Sequence, residues 1–277
     1  MQNEHLTYGE IIRKSTEFLL NKGVISAKCD SEWIVSHLVK TSRMELYLNF
    51  DDLVPEEKIS EIRNMIVQRG RRIPLQHILE SVPFCDLRLK CDRRALIPRP
   101  ETERLVEIII ESVGEAFNGN ILDLGSGTGA IVLALCNQLK EARGLGMDKS
   151  SEAIDLSREN LCLLDLSARV SFQKFDWMLE EYKQEKVDLL ISNPPYLSLE
   201  EWNTAEPEVN KHDPKDALVS PEGGLAHLRK LLDLSTSALK KDGQIFIEVG
   251  IGQAEKVMEM MKDIFYDIQN RKDFCGV

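Results

Sequence analysis

Residues 188–198 read DLLISNPPYLS. The run starts as an apolar, β-branched strand and stops on Asn193, Pro194, Pro195 and Tyr196. Two successive prolines remove two N–H donors and cannot extend a sheet ladder. The strand therefore ends in a stiff frame holding two acceptors, the Asn193 side-chain oxygen and the Pro194 carbonyl. Such a pair suits a planar NH₂ group, whose lone pair is delocalised and poorly nucleophilic. Acceptors that take its two hydrogens orient it, favour pyramidalisation and aim the lone pair at an electrophilic methyl group, while Tyr196 packs against the plane. This is catalysis by positioning and electrostatics, with proton loss after transfer. The plainer alternative is a proline-rich turn that only ends a strand.

A second stretch, NILDLGSGTGA at residues 120–130, carries Asp123 and the loop Gly125, Ser126, Gly127, Thr128 and Gly129 at a strand-to-helix junction. Glycines allow a tight turn and close approach of a ligand to the backbone. Asp148 follows about twenty residues later, at the tip of the next strand, where a ribose-binding carboxylate belongs. The loop alone accepts either NAD or S-adenosylmethionine, and a ligand-free turn is the bland reading. A pyrophosphate would gain from the helix dipole. A sulfonium and an ammonium instead want carboxylates and carbonyls, and Asp123 supplies one. Asp176 and Trp177, in FDW, suit the edge and face of a purine; for Trp177 a core role is the alternative.

The elements that must position these residues alternate. After residue 99, helical and strand patterns follow one another: helix 101–117, strand 120–127, helix 128–142, strand 143–150, helix 150–165, strands 169–177 and 186–196, helix 223–243, strand 244–250 and helix 252–265. That alternation predicts an α/β fold with a mainly parallel sheet covered on both faces. Residues 1–80 look different. Apolar stripes at Tyr8, Ile11, Ile12, Phe18, Leu19 and Leu20, at Trp33, Ile34, Leu38 and Val39, and at Ile59, Ile62, Ile66 and Val67 predict a small helical bundle. Between them, residues 81–98 alternate at Phe84, Leu87, Leu89 and Cys91, a hairpin pattern and a bridge between domains. The expected domains are thus 1–80, 81–98 and 99–277.

The chain of 277 residues has a net charge of −11, which opposes a protein that coats nucleic acid. The basic stretch RNMIVQRGRR at 63–72 is expected to be a solvated helix end. Cys29, Cys85, Cys91, Cys136, Cys162 and Cys275 form no CxxC pair, so reduced thiols, a cytoplasmic setting and no metal site are expected. No apolar run reaches the roughly 20 residues of a membrane span, and no targeting segment is seen. Trp33 and His37 read as packing plus a surface imidazole, and His212 as solvated.

Together NPPY after a strand, LDLGSGTGA and IPRPETE (97–103) resemble the HemK/PrmC-type glutamine methyltransferases, which modify the Gln of the Gly-Gly-Gln motif in class 1 peptide chain release factors. The resemblance spans essentially the whole chain. It implies a class I, Rossmann-like methyltransferase with a sheet of the seven-stranded type, using S-adenosylmethionine and leaving S-adenosylhomocysteine. It implies that Gly125 to Gly129, Asp148, Trp177 and Asn193 touch the cofactor, and that Asn193 to Tyr196 hold the glutamine. Phe84, Arg99, Pro100 and Glu101 would line the pocket from the hairpin side. The helical domain would dock the release factor, with the enzyme a monomer that binds no nucleic acid directly. Three departures stand out: Glu80 where the family commonly has Gly, Asp213 in HDPKDAL where a Glu-Pro is usual, and an end at KDFCGV where relatives add a last antiparallel strand. Without that strand the QIFIEVG edge would be under-paired. Other readings are the same chemistry on an exocyclic amine of a DNA or RNA base, an NAD-dependent oxidoreductase, and a binding protein that has lost the reaction.

Overall fold

Glu80 marks a division. The computed structural model describes residues 6–272, and the chain separates into a unit Met1–Glu80 and a unit Ser81–Val277. The first contains helices Tyr8–Asn21, Ala27–Val39, Arg43–Leu48, Glu56–Gly70 and Leu75–Leu79. Thr7 and Ser42 start two of them with reciprocal capping boxes to Glu10 and Glu45, which satisfy N–H groups that a helix end leaves open. Leu19, Ile34, Leu46 and Ile62 are at most 1% exposed at the centre of its core.

The stripes need three corrections. Leu20 is 58% exposed, Trp33 37% and Val67 40%, whereas Glu32 and Val35 face inward. Glu32 can be buried because Arg43 and Tyr47 both donate to its carboxylate, and Arg43 then lies over the Trp33 ring. Arg69 is no solvated cation either. It is buried and donates to Asp30 Oδ2 at 2.7 Å.

The second unit opens with an antiparallel hairpin of β1 (Ser81–Phe84) and β2 (Leu87–Lys90), turned through Cys85 and Asp86 at positive φ. Its parallel sheet has strands β3 (Asn120–Leu124), β4 (Arg143–Asp148), β5 (Val170–Lys174), β6 (Val187–Ser192) and β7 (Leu239–Ile247), in the order β5-β4-β3-β6-β7. Every adjacent pair in it is parallel. Ile121, Leu122, Leu124, Leu189, Leu190 and Ile191 are at most 1% exposed, as strands covered on both faces require. Helix Ala130–Gln138, apolar on all sides, is buried from Ala130 to Cys136.

Helix 223–243 is shorter than predicted, Ala226–Ala238. Leu239 is already extended, and the KKDG expected in the helix belongs to β7, with a register shift opposite Val187–Leu189. Lys240 holds that irregular start by bonding Asp188 on β6 at 2.8 Å. Among the described residues β7 has β6 as its one sheet neighbour; residues 273–277, most of KDFCGV, lie outside the description. Short helices Leu199–Thr204 and Pro207–His212 were not anticipated, although Ser198 with Glu201 and Pro207 at a helix start are their signals. No described helix is long and apolar enough to cross a membrane.

Candidate active site

From β3 the sheet grows outward through β4 to β5, and the chain then returns to lay β6 on the other side of β3. Such a reversal opens a crevice at the carboxyl ends of the strands. Both motifs end there, the glycine loop after β3 and NPPY after β6. Ser192 Oγ ties the two strand ends by donating to Leu124 O at 2.6 Å.

Main-chain bonds hold the loop. Gly125 N and Ser126 N donate to Met147 O at 2.8 and 3.0 Å, and Gly129 N donates to Ser126 O at 2.7 Å. Gly125 lies at φ +77°, and a Cβ there would stand 3.1 Å from the Trp177 ring and 4.0 Å from Asn193 O. Conformation and space both demand glycine, and loop, Trp177 and Asn193 converge on this point.

Asp148 accepts Gly127 N at 2.9 Å through one oxygen and Ser150 N at 2.8 Å through the other. Burial raises its pKa, against those bonds. The carboxylate foreseen for a ribose therefore also braces the loop. Asp123 is 0% exposed, below the loop and not on the cleft surface. Its Oδ2 accepts Val132 N at 3.4 Å, and its Oδ1 has no hydrogen-bond partner. Burial pushes its carboxyl up to about 7, opposed by the Val132 bond and reinforced by Asp148.

Thr128 is also inside, with its carbonyl accepting Asn160 Nδ2 at 3.0 Å. Ser126 Oγ and Trp177 Nε1 are buried without a partner. Buried polar groups are nearly always hydrogen-bonded. Three open ones around a single loop, Asp123 Oδ1, Ser126 Oγ and Trp177 Nε1, fit a site that receives a polar ligand with both donors and acceptors. Trp177 is positioned in turn by His227, edge-on at 6.0 Å, whose Nδ1 bonds Ser220 Oγ at 2.8 Å and whose pKa burial lowers. Asp176, half-buried beside it, accepts Met178 N at 2.9 Å.

Pro194 and Pro195 are buried, whereas Asn193 and Tyr196 are half-buried. Asn193 Nδ2 donates to Thr102 Oγ1 at 3.2 Å. Tyr196 O accepts Gln253 Nε2 at 2.8 Å, and a Cβ on Gly224 would fall 2.1 Å from the same oxygen. Thr102, Gln253 and Gly224 were missed in the sequence reading. Thr102 sits inside IPRPETE, so its signal was at hand; for Gln253 the only hint is a glycine-flanked amide in GIGQ. Among the described residues no cluster of three or more His, Cys, Asp or Glu could hold a metal.

A family model described as the PrmC N-terminal domain matches residues 10–79, and one described as the methyltransferase small domain matches residues 102–208. A release factor glutamine methyltransferase of Fusobacterium nucleatum is 37% identical over 269 residues, which cover 96% of this chain and 76% of that protein. The protein of the same name from Geobacter sulfurreducens is 33% identical, with 97% and 90% covered, and that of Thermodesulfovibrio yellowstonii 34% identical, with 90% and 89% covered. The chain belongs to the release factor glutamine methyltransferase family. The hMettl16 catalytic domain, solved with the MAT2A 3′UTR hairpin 6, shares its methyltransferase fold at TM-score 0.54 and 16% identity, with 66% of this chain and 71% of that one covered.

On the hairpin side, Phe84 is 1% exposed and packs with Val82, Leu87 and Leu89. The period-two pattern that identified the hairpin turns this ring inward with its apolar neighbours. Arg99 is half-buried and donates to Asp213 Oδ2 at 2.6 Å. Burial takes the Asp213 carboxyl up to about 6 against the pull of Arg99, and its Oδ1 has no hydrogen-bond partner. Pro100 is exposed at the first position of helix Pro100–Val113, followed by half-buried Glu101. The departure at residue 80 has a geometric meaning. Glu80 ends a helix at φ +52°, the left-handed conformation that glycine adopts most easily.

Proposed function

We propose that this chain transfers the methyl group of S-adenosylmethionine to the side-chain amide nitrogen (N5) of the glutamine in the Gly-Gly-Gln motif of class 1 release factors. The observation that carries the reading is the end of β6, where Asn193 stands beside the glycine loop with its NH₂ turned to Thr102. Its Oδ1 and the Pro194 carbonyl then act as the two acceptors for the substrate NH₂. Pro195, lacking a donor and fixed in φ, keeps that carbonyl in place, and Tyr196 packs on the flat carboxamide.

The cofactor is held by Gly125 to Gly129, Asp148, Asp176, Trp177 and Asn193. Asp148 takes the ribose hydroxyls, Asp176 and Trp177 the purine. Asp123, beneath the loop, offers negative potential to a cationic ligand once its proton is lost, and the bound cation favours that loss. When bound, S-adenosylmethionine provides an electrophilic methyl carbon on a sulfonium centre. The residues of this chain orient the nitrogen, exclude water and stabilise the charge that develops on it. The proton leaves after transfer, so no strong base is required.

Residues 1–80 dock the protein substrate. A groove of about 650 Å³ there, lined by Arg13, Glu17, Lys28, Tyr47 and Phe50 among others, supports this role. The hairpin 81–98 links it to the methyltransferase domain, 99–277, where Arg99, Pro100 and Glu101 border the glutamine pocket. The protein acts as a cytoplasmic monomer on a protein side chain, a reading that the net charge of −11 supports over a nucleic acid substrate.

Mass spectrometry of a release factor incubated with the protein and S-adenosylmethionine should show one added methyl on the Gly-Gly-Gln peptide. Asn193→Ala should lower kcat by about 10²–10³-fold, the cost of a lost positioning acceptor, while cofactor affinity falls far less. Full activity in that variant would remove the mechanism.

A further inference from the structure

A carboxamide can offer either its oxygen or its NH₂, and nothing within NPPY decides which one Asn193 turns to the cleft. Two residues outside the motif decide it. Asn193 Nδ2 donates to Thr102 Oγ1 at 3.2 Å, and Thr102 Oγ1 donates to Glu248 Oε2 at 2.7 Å. Thr102 is 4% exposed, on the first turn of helix Pro100–Val113. Glu248 follows β7, and its N–H donates to Ser192 O at 3.0 Å. The sheet itself therefore keeps Glu248 level with the residue before Asn193.

The chemistry of the three groups admits one direction. A carboxylate only accepts, and a hydroxyl has a single proton to give. Glu248 takes that proton. The Thr102 oxygen is left to meet Asn193 as an acceptor, so Asn193 must present its NH₂ there. Its Oδ1, on the other arm of the same planar group, faces away from Thr102.

We infer that Thr102 and Glu248 are positioning residues that set the polarity of the Asn193 amide and hold its oxygen towards the substrate NH₂. The inference rests on the proposed reaction at this site. With the amide reversed, two NH₂ groups would face each other, and a donor pair cannot hold the substrate nitrogen. Thr102→Val keeps shape and burial but removes the hydroxyl, which frees the amide to flip. Glu248→Gln can donate as well as accept, so the Thr102 proton is no longer committed and both amide orientations become available.

The test compares the parent with Thr102→Val, Thr102→Ser and Glu248→Gln by steady-state kinetics on a release factor and by NMR of the Asn193 side-chain NH₂, assigned by its loss in Asn193→Ala. Thr102→Val should lower kcat by about thirtyfold, the scale of a mispositioned catalytic group, with KM for S-adenosylmethionine within about twofold of the parent. Thr102→Ser should recover most of kcat, and Glu248→Gln should fall between them. The Asn193 NH₂ protons should resist exchange in the parent and in Thr102→Ser but not in Thr102→Val. Unchanged kcat or unchanged amide protons in Thr102→Val would overturn the relay, as would an equal loss in Val and Ser variants. Should the parent fail to methylate a release factor, the proposed function falls, and the amide protons alone decide the relay.

Discussion

Asp30 in the helical unit and Asp123 in the α/β unit are both buried carboxylates, 4% and 0% exposed. Their surroundings differ. Asp30 accepts Arg69 Nε at 2.7 Å and the Ser26 hydroxyl at 2.8 Å, so its charge is answered within the fold. Asp123 receives one long bond from Val132 N and leaves Oδ1 open, as Ser126 Oγ and Trp177 Nε1 are left open. Folded proteins rarely leave such groups unmet unless something else meets them. A satisfied buried charge marks structure, and an unsatisfied group beside a cleft marks function. This contrast separates the two carboxylates more sharply than their burial does.

The largest effect that could break the contrast lies in the helical unit. Arg69→Ala leaves Asp30 buried and uncompensated, and should cost about 3–5 kcal/mol of stability. Replacing both partners, Asp30→Leu with Arg69→Met, should recover much of that loss, because a buried ion pair and an apolar pair of similar size are nearly equivalent. Urea unfolding followed by circular dichroism measures both. If Arg69→Ala matches the parent, the pair is not what balances this buried charge.

Asp123→Asn should act in the opposite sense. An unfolded Asp titrates near 4, whereas burial takes folded Asp123 to about 7. Between those values the folded state binds the extra proton, so the contribution of this group is complete below about pH 4 and lost as pH rises through about 7. The variant lacks that loss. Relative to the parent, its unfolding free energy should rise by a few kcal/mol between pH 5 and pH 8, on the order of 1.4 kcal/mol per pH unit crossed. Its affinity for S-adenosylmethionine should meanwhile drop about tenfold, or about 1.4 kcal/mol. Equal pH slopes in parent and variant would show that the carboxylate is not held protonated by the fold.

Much of this was legible in the sequence, for reasons that can be named. Local periodicity set the strands of the sheet, and the GSGTGA loop and NPPY each lie where one strand stops, so short stretches sufficed to locate the crevice. What escaped depends on partners distant in sequence. Arg69 was misjudged because its burial needs Asp30, and the inward turn of Glu32 needs Tyr47 with Arg43. Thr102 and Glu248 meet Asn193 only after a helix start and two neighbouring strands come together, and spacing carries no trace of that. Asp148 stands out in the sequence by its spacing, yet its bracing bond to Gly127 belongs to the three-dimensional turn.

Two helix caps sharpen the comparison at the smallest scale. Ser42 Oγ accepts Glu45 N at 3.2 Å in the helical unit, and Ser150 Oγ accepts Ala153 N at 3.2 Å in the α/β unit. Loss of either hydroxyl to alanine should cost about 1 kcal/mol. The Ser150 N–H, however, also donates to Asp148 Oδ1 at 2.8 Å, so the turn that caps this helix carries one of the two bonds that aim the carboxylate. Ser150→Ala loosens that turn without deleting the N–H. It should therefore raise KM for S-adenosylmethionine by about twofold to threefold with kcat nearly unchanged, the signature of weaker uniform binding. Ser42→Ala should leave both constants where they are. Identical kinetics in the two variants would mean that Asp148 is held by Gly127 alone, and that the second bond is no more than a helix start.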